Sequence, residues 1–164
     1  MKNITMIAAV GKNLELGRNN DLIWRFKEDM KFFKEQTMGK PMVMGYNTFK
    51  SLPKVLPGRK HIVLCFEKID LGSEVEVVTS MDELFDKIIE YPEVMIIGGA
   101  SIYKQMIEYS DKLILTEVDA EAKDADVYFP TFNKEEWNNK LLSECEENNI
   151  KFKHLVYTRK EGEK

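Results

Sequence analysis

Apolar positions along the chain fall into short unbroken runs separated by amphipathic stretches. Asn3–Val10 (NITMIAAV), Pro41–Gly45 (PMVMG), His61–Phe66 (HIVLCF), Val75–Val78 (VEVV), Val94–Gly98 (VMIIG) and Lys112–Val118 (KLILTEV) each read as a strand. Several are continuously apolar rather than alternating, the pattern of strands buried on both faces of a parallel sheet covered by helices. Helical spacing falls between them, over Phe26–Thr37, Asn47–Leu52, Met81–Glu90 and Ser101–Glu108, with Ser80 and Glu83 placed as a capping box ahead of the third. Near the end, LLSECEE and IKFKHLVYT flank Asn148-Asn149, which predicts a hairpin and an antiparallel last strand. The expected architecture is a single α/β domain over residues 1–164. It has a mostly parallel central sheet flanked by helices, right-handed crossovers and an antiparallel C-terminal strand pair. Two stretches, Gly11 to about Arg25 and Asp119 to Phe129, read as long loops, which are often functional or mobile.

The first helical stretch carries an acid in an unusual place. Phe26, Met30, Phe33 and Thr37 form one stripe at helical spacing, and Asp29 borders it, three residues before Phe32 and four before Phe33. A carboxylate beside two phenyl rings loses hydration unless something replaces it. Its interaction with the helix dipole explains an acid near a helix start, but not one beside the apolar stripe.

Composition narrows the function classes. With 164 residues, 43% hydrophobic and 32% charged, the chain suits one folded domain with a sizeable core. A formal charge of −4 and no dense Lys/Arg stripe argue against a nucleic-acid partner. Cys65 and Cys145 stand far apart without a CxxC, which fits a reducing cytoplasm and neither a disulfide framework nor a zinc site. The start, MKNITMIAAVGKN, loosely mimics a signal peptide, but its apolar stretch is short and interrupted by Thr5, so it reads as a buried first strand, and no membrane span is expected. His61 and His154 are the two histidines; neither has a carboxylate at ligand spacing, so no metal or catalytic role is assigned to them. GxSxG, HExxH and Walker A patterns are absent, against hydrolase and NTPase readings.

Two strand-to-helix junctions point to a ligand. In VMIIGGASIYKQM, Gly98 and Gly99 let the backbone bend and approach a ligand closely, and the amides opening the next helix suit an anion such as a pyrophosphate. A plain tight turn would look the same. In PMVMGYNTF a strand ends at Gly45, and Asn47 or Thr48 is placed to cap the next helix, Thr48 equally to donate to a phosphate. Two such junctions in one parallel sheet suggest a ligand across the strands' carboxyl ends. In LPGRKHIVL, Arg59 sits where a Pro-Gly turn meets a strand, either as a surface arginine or as a fixed fork for a carboxylate. Trp24, after the first long loop, reads as a core tryptophan, which does not exclude a ligand contact.

Taken together in order, IAAV, the loop residues Leu16, Gly17, Asn20, Leu22 and Trp24, Asp29 with FFK, KPMVMG, Thr48 with Ser51, LPGRK, MIIGGA.IY, LT..DA and Asp126 with Phe129-Pro130 resemble dihydrofolate reductase over essentially the whole chain. The resemblance implies reduction of dihydrofolate to tetrahydrofolate, with hydride from NADPH and a proton added at N5. It implies that Asp29 hydrogen-bonds the pterin's 2-amino group and N3, with Trp24 and Leu22 beside the chemistry. Ile7, Ala8, Met30, Phe33, Leu52, Leu56, Ile97 and Thr116 would line the substrate, and Arg59 would pair with its glutamate carboxylate. Ala9, Leu16, Gly17, Asn20, Gly45, Tyr46, Thr48, Leu64, Ile97, Gly98, Gly99, Ala100, Ser101, Ile102 and Tyr103 would hold the dinucleotide, with a cis peptide joining the two glycines. The first loop would close over the nicotinamide, and Asp126 would brace it. A cytoplasmic monomer sensitive to antifolates is expected, with no metal, nucleic acid or membrane partner.

The chain departs from the family where the adenosine 2′-phosphate is usually recognised. Tyr46, Phe66 and Ser101 stand where polar or basic residues are common, so discrimination between NADPH and NADH should be weaker than is usual unless Lys50, Lys60 or Lys104 compensates. Two competing readings are a related pterin or ribosyl-pyrimidine reductase of the same fold, as in riboflavin synthesis, and a non-catalytic nucleotide-binding module. A ribosyl-phosphate substrate needs neither Asp29 beside FFK nor Arg59, which weighs against the first.

Overall fold

The apolar runs pair side by side in a computed structural model that describes residues 3–18 and 21–160. In chain order the elements are β1 (Ile4–Val10), β2 (Glu15–Arg18), β3 (Asp21–Leu22), α1 (Lys27–Thr37), β4 (Met42–Gly45), α2 (Tyr46–Ser51), β5 (His61–Leu64), β6 (Val75–Val78), α3 (Met81–Ile88), β7 (Val94–Gly98), α4 (Ala100–Met106), β8 (Lys112–Val118), β9 (Val127–Tyr128), β10 (Trp137–Glu147) and β11 (Ile150–Arg159). Eight strands form one sheet in the order β10-β11-β8-β1-β7-β4-β5-β6. Pairing is parallel from β8 through β6, while β11 runs antiparallel to β8, and β10 to β11. The expected α/β fold is therefore present, with its antiparallel C-terminal pair. Asn148 and Asn149, at the tip of the hairpin, both have positive φ (55° and 65°), the geometry a two-residue turn needs to follow strand twist.

Local chemistry sets most boundaries. Ser80 Oγ accepts the Glu83 amide, as a capping box requires, but the Glu83 carboxylate reaches back to the amide of Thr79. Neither Asn47 nor Thr48 caps α2: Gly45 is its N-cap, no side chain caps it, and both residues lie within the helix. Phe66 falls beyond the end of β5 and is 80% exposed. The two long loops are not irregular throughout. Their short strands β2, β3 and β9 make a second, three-stranded antiparallel sheet, which segments of two to four residues are too brief to announce by periodicity.

Core clusters lie on both faces of the large sheet. Ile4, Val43, Ile62, Ile96, Leu113 and Leu115 belong to the largest. On the other face Phe33 and Ile97, both half-buried, join a cluster around Ile7 to one around Met42, Met44 and Val63. His61, fully buried in β5, secures the turn before it: Nδ1 donates to the Arg59 carbonyl at 3.0 Å, and Nε2 accepts the Leu56 amide at 3.1 Å. This arrangement needs a neutral ring, and burial lowers its pKa from the ordinary 6.5. The unfolded chain then binds a proton that the folded chain does not, so stability present above 6.5 is lost as pH falls through the folded value. Urea midpoints should drop below that pH in the wild type and less so in His61→Asn; parallel slopes in the two proteins would refute the assignment.

Candidate active site

Asp29 lies in the first turn of α1, where its carboxylate meets the sheet. Its Oδ1 accepts the Thr116 hydroxyl at 2.5 Å and His154 Nε2–H at 3.1 Å. Those are its partners among the described residues, and both use the same oxygen; no main-chain amide of the described residues saturates Oδ2. The Asp29 side chain is 16% exposed, so its unpartnered oxygen sits at a sheltered surface rather than in bulk water. Phe32 and Phe33 are half-buried beside it, as the helical spacing requires. Met30, by contrast, is 61% exposed: the stripe through Phe26, Phe33 and Thr37 packs inward, while Met30 stands on the open side of α1.

His154, to which the sequence gave no metal or catalytic role, is a partner of Asp29 that spacing along the chain could not show. Strand register explains the meeting: Ala9 pairs with Thr116, Thr116 with His154, and His154 with Ser143, one row across four strands. Neighbours in such a row share a face, so Thr116 and His154 rise together under α1. A signal existed in the alternation of Phe152, His154 and Val156, which places the histidine on an inward face.

From Asp29 an apolar wall leads towards Arg59. Phe33, Leu52, Leu56 and Ile97 are half-buried around Met42, Met44 and Val63. At its end Arg59 is held by its own side chain: Nε donates to the Pro57 carbonyl at 3.0 Å and Nη1 to Thr37 Oγ1 at 3.1 Å. Burial draws its pKa below the ordinary value, yet a guanidinium stays charged. No acidic side chain among the described residues pairs with Arg59, which leaves a fixed cationic fork available to an anion.

A second group of predicted residues gathers at the carboxyl ends of β4 and β7. Gly98 and Gly99 are joined by a cis peptide, and Gly98 has φ 131°, a conformation that side chains rarely adopt. A Cβ on Gly99 would sit 3.3 Å from Thr48 Oγ1, and one on Gly98 3.5 Å from it; a Cβ on Gly45 would meet Ile102 at 3.5 Å. The three glycines thus leave a ledge that side chains would fill, beside the first-turn amides of α4, which no preceding carbonyl can accept. This fits a dinucleotide phosphate. Tyr103 is buried beneath the ledge, its phenol donating to the Ile7 carbonyl at 2.6 Å, and burial pushes its pKa well up. Leu16, Leu64 and Ile102 pack their side chains in the main core, so what they offer a ligand is main chain. Ala8, Ala9, Tyr46 and Ala100 are half-buried near these strand ends, Ser101 is exposed, and Asn20 lies outside the described residues.

The two former loops meet beside this site. Leu22 is 60% exposed on β3, whereas Trp24 is buried and donates from Nε1 to the Glu15 carbonyl at 3.2 Å. Gly17 accepts the Asp126 amide at 2.9 Å, so the expected brace exists along the main chain. Glu15, which the sequence did not single out, is only 1% exposed, and its carboxylate accepts the amides of Asn13 and Ala122, both at 2.8 Å. Burial works against its ionisation, but the Ala122 and Asn13 amides outweigh it and hold the carboxyl below its ordinary value. Gly11 is required beside it, since a Cβ there would lie 2.4 Å from Glu15 Oε1. Among the described residues no cluster of three His, Cys, Asp or Glu side chains is placed to hold a metal ion, and no helix is long and apolar enough to cross a membrane.

Known proteins resemble this chain along most of its length. The family model described as dihydrofolate reductase matches residues 3–159. The dihydrofolate reductase of Neisseria gonorrhoeae is 36% identical over 159 residues, 96% of each chain. That of Haemophilus influenzae is 33% identical over 95% of this chain and 98% of its own. One from Buchnera aphidicola is 41% identical over 79% of this chain and 80% of its own.

Proposed function

The chain belongs to the dihydrofolate reductase family, and from that premise we propose that it reduces dihydrofolate to tetrahydrofolate with hydride from NADPH and a proton added at N5, in support of one-carbon and thymidylate metabolism. One observation carries the reading: a sheltered carboxylate whose Oδ1 is occupied by Thr116 and His154 while Oδ2 has no protein donor among the described residues. The pterin's 2-amino group and N3 are the donors that fit it. Asp29 orients the ring, the wall of Phe33, Leu52, Leu56 and Ile97 shelters the benzoyl group, and Arg59 holds the glutamate carboxylate. The ledge of Gly45, Thr48, Gly98 and Gly99 would seat the dinucleotide, which when bound supplies the hydride. Leu22, on the exposed edge of the small sheet, would cover the nicotinamide and restrict water, and water rather than Asp29 would bring the proton to N5. NADPH oxidation that requires dihydrofolate and stops with an antifolate tests the proposal; cofactor binding without such oxidation would leave only a nucleotide-binding module. The protein is proposed to work as a cytoplasmic monomer.

Two further results are expected. Arg59→Ala removes a charge-assisted pair worth about 1.5–3 kcal/mol, so the Michaelis constant for dihydrofolate should rise roughly ten- to a hundredfold while that for NADPH holds. An unchanged constant would remove Arg59 from the site. The second concerns the 2′-phosphate. Lys60 is paired with Glu76 at 3.3 Å, Lys50 lies over the Tyr46 ring at 4.7 Å, and Ser101 Oγ accepts from Gln105. Two of the three lysines that could compensate are thus engaged, leaving exposed Lys104. Each missing charged contact costs about 1.4 kcal/mol, roughly tenfold, so preference for NADPH over NADH should be modest. Catalytic efficiencies differing several thousandfold would show that other groups recognise the phosphate.

A further inference from the structure

Resting on the reductase reading above, we propose that His154 is a positioning residue for Asp29, held by Ser143 and the surrounding rings so that one carboxylate oxygen is fixed on the protein and the other is turned to the substrate. The imidazole is 2% exposed and its ring plane is set from both sides. Phe32 stacks on it at 3.8 Å between centroids and 12° between planes, and Phe152 meets it edge-on at 5.8 Å. Its nitrogens are both engaged, Nε2 on Asp29 at 3.1 Å and Nδ1 on Ser143 Oγ at 2.8 Å. An ionised carboxylate only accepts, so Nε2 carries the proton.

Ser143 reaches this position through an irregularity in the hairpin. Leu141 pairs with Leu155, but the next pair is Ser143 with His154, so Leu142 is the extra residue of a bulge. Without that insertion Leu142 would face the ring; a bulge re-aims a side chain in this way. The serine hydroxyl can donate to Nδ1 of a neutral ring or accept from Nδ1–H of a charged one. The ring can therefore change charge and keep both hydrogen bonds. His61 has no such freedom, because its Nε2 accepts a main-chain amide. Titratable groups around the pair are Asp29 on α1 and Cys145 on β10, whose thiol is pushed up by burial and by Glu28, Asp29 and Glu147. Among the described residues no lysine or arginine forms an ion pair with Asp29. Thr116 and His154 are thus the donors that hold its ionised form in place.

The test compares His154→Phe, which keeps the stack on Phe32 but has no donor, with His154→Gln, which restores a neutral donor, and Ser143→Ala, an exposed change that frees the ring. His154→Phe is expected to lower kcat/KM for dihydrofolate about tenfold, with the Michaelis constant for NADPH unchanged. It should also move the midpoint of the pH–rate profile upward, because the ionised carboxylate has lost a donor. His154→Gln should recover most of both effects, and Ser143→Ala should show a smaller loss of the same kind. An unmoved profile in His154→Phe, or equal losses in the Phe and Gln variants together with weaker NADPH binding, would overturn the proposal and leave a packing residue. Nitrogen NMR reads the pair without catalysis. The Nε2 proton should be protected from exchange in the wild type and lose that protection in Asp29→Ala. A pair that is present in a protein unable to reduce dihydrofolate would sink the reductase reading alone; an unprotected wild-type proton would sink the positioning role whatever the substrate.

Discussion

Asp29→Asn should lower kcat/KM for dihydrofolate about a thousandfold, the equivalent of about 4 kcal/mol, for the loss of charge-assisted hydrogen bonds to the pterin. The substitution keeps shape and volume, and the asparagine oxygen can still accept from Thr116 and His154, the two donors now on Oδ1. Its amide nitrogen then takes the place of Oδ2, and a donor faces the pterin's own donors. Each mismatched buried pair costs the desolvation of both groups with no bond in return. Folding stability and NADPH affinity should stay close to wild type, since the ledge at Gly98 and Gly99 is a separate part of the site. Steady-state kinetics with both substrates, paired with thermal melts, gives the answer. Activity within tenfold of the wild type would mean that the carboxylate does not do what its placement suggests.

The second large effect is on stability. Glu15→Ala should cost about 3 kcal/mol, because it leaves the Asn13 and Ala122 amides without an acceptor in a place where water has little access. For a chain of this size that corresponds to a fall in Tm of roughly 10 °C. The pH dependence has a definite sign. The folded carboxyl ionises below its ordinary 4.5, so its contribution is full above that value and is lost as pH falls through the folded one. Glu15→Gln should accordingly flatten the acid limb of the stability curve. The links between the two loops at the surface, Arg18 with Asp124 at 2.9 Å and Lys12 with Asp119 at 3.1 Å, are exposed and contribute little by comparison. If Glu15→Ala melted within 2 °C of the wild type, roughly the effect of a surface change, the buried carboxylate would not be what joins the loops.

Both predictions concern carboxylates set against apolar surroundings, and the two differ in how far the chain alone disclosed them. Asp29 announced itself because helical spacing put it between Phe32 and Phe33, and the chain satisfies it only in part. Glu15 did not, because a single acid in a short stretch of mixed residues has no period to violate. Its acceptor role depends on Ala122, more than a hundred residues away. Arg59 was legible as a candidate through the Pro-Gly turn, but that no acidic side chain among the described residues pairs with it is a fact of three dimensions. The helix cap expected of Asn47 or Thr48 failed for a local reason: the strand's own last residue, Gly45, already supplied the extended conformation from which α2 starts.

What the amino-acid order determined by itself was the succession of helices and large-sheet strands, the parallel sheet with its reversed end, and the set of short motifs that mark the family. These follow from properties of neighbouring residues: apolar period, turn chemistry and glycine at strand ends. What only the tertiary structure decided was which polar groups satisfy one another. His154 reaches Asp29 because β8 and β11 align Thr116 with it, and Ser143 reaches His154 because β10 carries one extra residue. Register between distant strands is settled by the packing of the whole sheet, and a shift of one residue would turn each of these side chains to the opposite face.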